Sequence, residues 1–328
     1  MGSISVLMPV FNAERFLYES VQSVLCQTHS ELALILINDG STDSSHDILL
    51  KIASIDKRVK VISQENQGIV AALNTGIEHA QGDYVARMDA DDICYPDRFA
   101  KQLQFMERHS LDLCGSAIEF IGRGTGKRMY PETHDELFIN LMTYGKTLAH
   151  PTVLAKSEVF KKFHYSSDYK DAEDLALWLD IAFNSDFKMG NYQEALLKYR
   201  VHEQQVSKEK KASQLDSTDR AISDFISQQY NEITCDELQA NSFLSRPRKA
   251  AGEEAYQHHL SYLVKLKKVT EDKNITSQFF DHMLLRICRK GVAFQSFPLD
   301  DYLDLMTTSL TSWNRFKLKA KAALKSSV

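Results

Sequence analysis

The sequence predicts an α/β architecture for roughly its first two hundred residues, with helices on both faces of a sheet, and a smaller α-helical region after it. Three observations support this. Short apolar, β-branched runs alternate with segments of helical spacing from Ile4 to His109, and such alternation builds a parallel sheet covered by helices. Polar and small residues follow each apolar run, where ligands bind in open α/β sheets. Past residue 210 only helical periodicity remains.

"ISVLMPV" (4–10) is the first strand, and "AERFLYESVQSVLCQ" (13–27) follows as a helix with Phe16, Leu17, Val21, Val24 and Leu25 at helical spacing. "LALILIND" (32–39) is the second strand. "STDSSHDILLKIAS" offers Ser, Thr and Asp caps before a second helix. "VKVIS" (59–63) and "DYVARMD" (83–89) are further strands, with the helix "IVAALNTGIEHA" (69–80) between them. "PDRFAKQLQFMERH" (96–109) places Pro96 near a helix start, where its missing N–H costs nothing.

The charged stretch "KEKKASQLDS" interrupts the pattern near residue 208, so the expected domains are 1–210 and 211–328. The second reads as helices over "AISDFISQQY", "EEAYQHHLSYLVKLKKV", "SQFFDHMLLRICRKG" and "PLDDYLDLMTTSLTSW". The last stretch, 311–328, carries Arg315, Lys317, Lys319, Lys321 and Lys325 without an acid. Trp313, Phe316, Ala320, Ala323 and Leu324 fall near one helical face. A basic amphipathic helix of this kind suits an anionic membrane surface.

Bulk properties narrow the function. A net charge of −5 gives no reason to expect nucleic acid. Five scattered cysteines, Cys26, Cys94, Cys114, Cys235 and Cys288, lack CxxC spacing and read as reduced thiols in a cytoplasmic protein. No stretch approaches 18 apolar residues and the N-terminus lacks a signal-peptide pattern. "GKT" at 145–147 lacks the upstream glycine of a phosphate-binding loop, and "HDEL" at 134–137 is internal.

The segments after the predicted strands, Pro9–Asn12, Asn38–Ser41, Gln64–Gly68 and Asp89–Asp92, should meet in one crevice. Within it Asp89, Asp91 and Asp92 gather like charge where a buried strand ends. Repulsion and desolvation oppose that unless something positive sits there. A hard divalent cation, Mn²⁺ or Mg²⁺, wants such oxygen ligands. Downstream, Glu173 and Asp174 open a helix, where acids are also ordinary caps.

"SVLMPVFNAERFLYESVQSVLCQT", "LINDGSTD", "ENQGIVAALNTGIEHAQGDYVARMDADD" and "AEDLALWLDIA" together resemble an inverting family 2 glycosyltransferase of the GT-A fold, over about residues 3–207. The resemblance implies a mixed Rossmann-like sheet and transfer of a sugar from a nucleotide-sugar, a UDP-sugar, to a glycan acceptor, in capsule, O-antigen or lipooligosaccharide synthesis. It puts Pro9, Val10, Asn12, Glu14 and Asp39 at the nucleotide base, and Gly68, Ala72 and Asn74 along the nucleotide. A carboxylate such as Asp39 can accept a uracil N3–H, although Asp39-Gly40 is also a common turn pair.

By the same resemblance Asp91 binds the metal, Asp89 reaches the ribose or a metal-bound water, and Asp92 orients them. Asp174 is the general base beside Glu173, with Asp171 its neighbour and competitor. His150 and Arg200 join the nucleotide-sugar site, and His202 the metal. Two other readings stand beside this one: a catalytically silent nucleotide-sugar-binding scaffold, and a sugar-nucleotide nucleotidyltransferase. The latter needs a glycine-rich, basic loop after the first strand, where this chain has "PVFNAERF". Expected partners are the donor, a glycan acceptor that may be lipid-linked, and an anionic membrane surface met by the tail, with the enzyme cytoplasmic and peripheral at the inner face of the membrane.

Overall fold

A computed structural model describes residues 2–202, 211–245, 252–275, 277–291 and 298–306. The strands are β1 (Ile4–Val10), β2 (Leu32–Asp39), β3 (Val59–Gln64), β4 (Tyr84–Arg87), β5 (Ile93–Cys94), β6 (Leu113–Gly122), β7 (Lys127–Arg128), β8 (Leu154–Lys156) and β9 (Met189–Val201). They form one sheet in the order β3-β2-β1-β4-β8-β6-β9-β5, with β7 paired to β6.

β3, β2, β1 and β4 run parallel, with Ile4 level with Leu32 on one side and Tyr84 on the other. The direction reverses at β8, which is antiparallel to both β4 and β6. The sheet is therefore mixed, as the resemblance implies, and not parallel throughout, as alternation alone suggests. β5 shows why: only five residues separate it from β4, too few for a parallel crossover, and it pairs antiparallel with β9 instead.

The helices of the first region are α1 (Leu17–Leu25), α2 (Ser45–Ile55), α3 (Ile69–Glu78), α4 (Arg98–His109), α5 (His134–Met142), α6 (Ser157–Lys162) and α7 (Glu173–Asn184). β2 is buried along Leu34–Ile37 on both faces, because helices cover both sides of the sheet. Gly76 of α3 allows that close approach: a Cβ there would stand 3.0 Å from Ile37 Cδ1 and 3.3 Å from both Leu7 Cδ atoms.

α1 starts later than its sequence suggests. Asn12 takes a left-handed φ of +49°, and the 12–14 backbone is tied to the β2–α2 loop. The turn that results leaves Phe16 outside the helical face. Its ring lies under the Arg200 guanidinium, 4.4 Å from centroid to Cζ, and 5.3 Å from the His202 ring.

The chain groups into two compact units, 1–134 with 147–221, and 135–146 with 222–328. The remaining helices are α8 (Lys211–Gln229), which begins inside the polar stretch read as a break, α9 (Cys235–Ser245), α10 (Glu253–Asp272), α11 (Ser277–Gly291) and α12 (Leu299–Asp304). The second unit has its own core of Tyr262, Leu263, Leu266 and Leu284. Tyr262 Oη and Asn241 Nδ2 both donate to the Met142 carbonyl, at 2.7 and 2.9 Å, which ties the end of α5 into this unit. The basic segment 311–328 lies outside the described residues. Among the described residues no helix is long and apolar enough to cross a membrane.

Candidate active site

The sheet order places the switch point between β1 and β4, and the carboxyl ends of β1, β2 and β4 carry the expected residues. Val10 is fully enclosed in the core, so its side chain offers nothing to a ligand, while Pro9 beside it is half-buried. Asn12 and Glu14 are exposed and brace the neighbouring loop. Asn12 Oδ1 accepts the Thr42 N–H at 2.8 Å, and the Glu14 carboxylate accepts the Ser44 N–H at 3.0 Å.

Asp39 is buried and shapes the loop opposite. Its Oδ1 accepts from Gln64 Nε2 (2.8 Å) and the Gln67 N–H (2.9 Å), and its Oδ2 accepts the Gly68 N–H (2.8 Å). A carboxylate has about four lone-pair positions, so three bonds leave acceptor capacity. Gly68 adopts φ +87°, and a Cβ placed there meets nothing within 4 Å, so the loop is open at that point. Asn74 has a different occupation. Its Nδ2 donates to the Tyr165 carbonyl (2.9 Å) and its Oδ1 accepts the Tyr165 N–H (3.1 Å), clamping that residue's backbone.

Asp89, Asp91 and Asp92 present carboxylate oxygens all within 4.8 Å of one another. Asp92 is fully buried; Oδ1 accepts the Arg200 N–H at 2.8 Å, and Oδ2 has no partner. Burial first, and then the Asp89 and Asp91 charges, push its carboxyl well above the usual range. Asp91 is also pushed up by burial and by Asp89, partly countered by His202, whose Nε2 lies 2.9 Å from Asp91 Oδ2. Arg200 spans the loop. Its Nε donates to the Asp91 carbonyl (2.7 Å) and its Nη2 pairs with Glu19 (2.6 Å). An all-oxygen, undercompensated donor set with a buried orphan oxygen fits a hard divalent cation.

Glu173 and Asp174 begin α7, both half-buried. Asp174 Oδ1 accepts the Leu175 N–H at 2.7 Å. Burial, and then the Asp174 charge, push the Glu173 carboxyl up to about 7. Asp174 is raised too, chiefly by burial, against the Leu175 N–H and the Arg87 charge. His150 is buried, with Nε2 2.8 Å from Tyr165 Oη and its ring edge-on to Trp178 at 6.0 Å. Burial, and then Arg87, hold His150 well below its ordinary value, so it is a neutral hydrogen-bonding group.

Sequence reading passed over three residues here. Phe11 is 50% exposed just past β1, offering a ring face beside Pro9. Tyr165 joins Asn74 to His150. Arg87 closes β4 and pairs with Asp89 at 2.6 Å. The available signal for Arg87 was a lone cation in an otherwise apolar strand, two residues before an acid.

Comparison with known proteins agrees with this geometry. The profile of Glycosyl transferase family 2 matches residues 5–198. An uncharacterized glycosyltransferase of Haemophilus influenzae is 34% identical over 222 residues, covering 62% of this chain and 67% of that protein. The O-antigen biosynthesis glycosyltransferase WbnJ of Escherichia coli is 31% identical, with 63% of this chain and 83% of WbnJ covered. A glycosyltransferase of Rickettsia felis is 32% identical over 60% of this chain, which spans only 33% of its length. Among solved structures, S. aureus TarS 1-349 in complex with UDP-GlcNAc aligns with 99% of this chain and 91% of its own, at a TM-score of 0.60 and 17% identity. The mannosyltransferase PcManGT of Pyrobaculum calidifontis, in complex with GDP-Man and Mn²⁺, aligns over 99% of this chain and 86% of its own, at 0.51 and 15% identity. These matches show a GT-A fold.

Proposed function

The chain belongs to glycosyl transferase family 2, and on that premise we propose that it moves a sugar from a UDP-sugar to a hydroxyl of a glycan acceptor, with inversion, in the assembly of a surface polysaccharide. The observation that carries this is the pairing of two acidic groups in one unit: Asp89, Asp91 and Asp92 at the end of β4, and Glu173 with Asp174 at the start of α7. One group suits a metal and diphosphate, and the other suits a proton.

On the donor side, Asp39 accepts the uracil N3–H with its remaining capacity, and Phe11 offers a ring to the base. Gly68 leaves the backbone open to the nucleotide. Asp91 and Asp89 would hold the cation, with His202 beside Asp91. A divalent manganese or magnesium ion, when bound there, supplies positive charge to the diphosphate and eases UDP departure. The Mn²⁺ held by the Pyrobaculum mannosyltransferase supports the same site type.

On the acceptor side, Asp174 takes the proton of the attacking hydroxyl. The acceptor oxygen bonds to the anomeric carbon as the bond to the phosphate oxygen breaks, and UDP leaves with the electron pair. One displacement inverts that carbon, so an α-linked donor gives a β-glycoside. The raised carboxyls of Glu173 and Asp174 suit this exchange, because a base is most effective near the working pH. The UDP-GlcNAc bound by TarS supports a UDP donor, and the O-antigen role printed for WbnJ supports a surface glycan. We place the enzyme at the inner face of the membrane, with 311–328 as its contact.

The test is turnover. The protein is incubated with Mn²⁺, a panel of UDP-sugars and soluble or lipid-linked glycans, and UDP release is followed together with glycoside formation. Transfer that disappears in Asp174→Asn and becomes metal-insensitive and weak in Asp91→Ala supports the reading. UDP binding with no donor consumed would instead favour the silent scaffold.

A further inference from the structure

Arg87 is a buried cation whose hydrogen bonding is incomplete. Its side chain is 7% exposed, and Nη2 donates to Asp89 Oδ1 at 2.6 Å. Nε and Nη1 are enclosed and have no partner among the described residues. Leaving N–H groups of a buried cation unpaired is costly, and an apolar side chain of similar volume is often as good or better for stability. The strand offers no structural reason for a charge here, since its neighbours Val85, Ala86 and Met88 are all buried apolar residues.

The surroundings suggest what the charge is for. Asp89 lies on one side of the guanidinium, in the acidic loop. Glu173 and Asp174, at the start of α7, feel the same positive charge, as do Tyr165 and His150. Asp171 precedes the acid pair, and Asp89, Tyr130 and Tyr165 face it from other elements. These three acids and two tyrosines supply no positive charge, and burial keeps His150 neutral.

We infer that Arg87 is a positioning residue serving both halves of the crevice: it aims Asp89 at the metal and donor through one nitrogen, and its enclosed charge keeps the Glu173–Asp174 pair able to take a proton. The second half rests on the reading of Asp174 as base. It also accounts for the incomplete hydrogen bonding, because a guanidinium fully tied to Asp89 and backbone carbonyls would be neutralised toward one side only. Lysine would keep the charge but lose the planar fork.

The experiment reads the acid pair without substrate. Carbon-13 carboxylate NMR is recorded from pH 4 to 9, with the two resonances assigned through Glu173→Gln and Asp174→Asn. In Arg87→Met the midpoints of the pair should rise by about one pH unit or more, the usual effect of losing a nearby opposite charge. Arg87→Lys should restore most of that shift. Mn²⁺ affinity, read by titration, should fall about tenfold or more in Arg87→Met, as when a partner of a metal ligand is removed. If Arg87→Met does not fold, the charge-balanced Arg87→Met/Glu173→Gln variant decides: Asp174 must titrate above its midpoint in Glu173→Gln alone. Unmoved midpoints in a folded variant overturn the inference. Absence of transfer by the wild type would sink the glycosyltransferase reading, but the NMR midpoints would still decide the role of Arg87.

Discussion

Glu237 in the first turn of α9 and Glu173 at the head of α7 start from the same local pattern, an acid near a helix N-terminus, one in each unit. Glu237 is fully provided for. With Thr234 it forms a reciprocal cap, the Thr234 N–H donating to its Oε2 at 2.7 Å and its own N–H to Thr234 Oγ1 at 3.3 Å. Lys265 Nζ adds an ion pair at 2.7 Å, and Ser261 Oγ donates to Oε1. Burial pushes its carboxyl up, but these partners more than reverse the effect, and it lies below the usual range. Glu173 has Asp174 as its neighbour, and its carboxyl is pushed the other way, to about 7. The difference separates an acid that stabilises a fold from one kept reactive at some cost to it.

The largest effect that sharpens this contrast is on catalysis. Asp174→Asn should lower kcat by about 10² to 10⁴, the range for losing a general base, while UDP binding with Mn²⁺ persists. An active Asp174→Asn would move the base to Glu173 or Asp171. In the second unit Glu237→Ala should leave transfer chemistry intact. It should cost about 1–3 kcal/mol of stability, because Lys265, Ser261 and the Thr234 N–H lose their acceptor. Far-UV circular dichroism of the melting helices measures that loss.

A smaller effect concerns pH, and its sign differs between the two glutamates. Glu173 is raised in the fold, so the folded state holds its proton longer than the unfolded chain. Its contribution to stability falls as pH rises from about 4.5 toward 7. Glu173→Gln removes that penalty and should raise the melting temperature at pH 8 by about 2–4 °C, the equivalent of roughly 1 kcal/mol in a unit of this size. Glu237 is lowered, so its contribution is present above about 4.5 and is lost as pH falls below that value. Glu237→Gln should therefore flatten the acid side of the stability curve. The comparison breaks if both substitutions destabilise equally at pH 8.

Much of the first unit was legible in the sequence, and the reason is periodicity. β1 to β4 and their helices announce themselves because each buries a continuous face, and the crevice follows from where those strands end. β5 and β7, two residues each, carry no period. α9 escaped notice because its apolar residues fall around the whole helix and form no stripe. The grouping of 135–146 with the second unit depends on distant partners: Asn241 and Tyr262 hold the Met142 carbonyl, and Arg286 Nη1 donates to Asn140 Oδ1 at 2.6 Å.

The same division holds at the site. Asp89, Asp91, Asp39 and the Glu173–Asp174 pair were visible as acids in improbable places. The uses of Asn12, Glu14 and Asn74 as loop braces were not, since an amide or carboxylate has the same letter whether it meets a ligand or a backbone. Val10 shows the converse, a residue beside the crevice whose side chain belongs to the core.

The most direct measurement is thermal stabilisation by UDP, GDP and CDP, with and without Mn²⁺, for the wild type, Asp91→Ala and Asp174→Asn. A ligand at 100 times its dissociation constant adds about 2.7 kcal/mol, a shift easily read. Stabilisation by UDP that requires Mn²⁺, disappears in Asp91→Ala and survives in Asp174→Asn is the predicted result. No nucleotide response at any Mn²⁺ concentration, or a response indifferent to Asp91, would contradict the metal-assisted donor site.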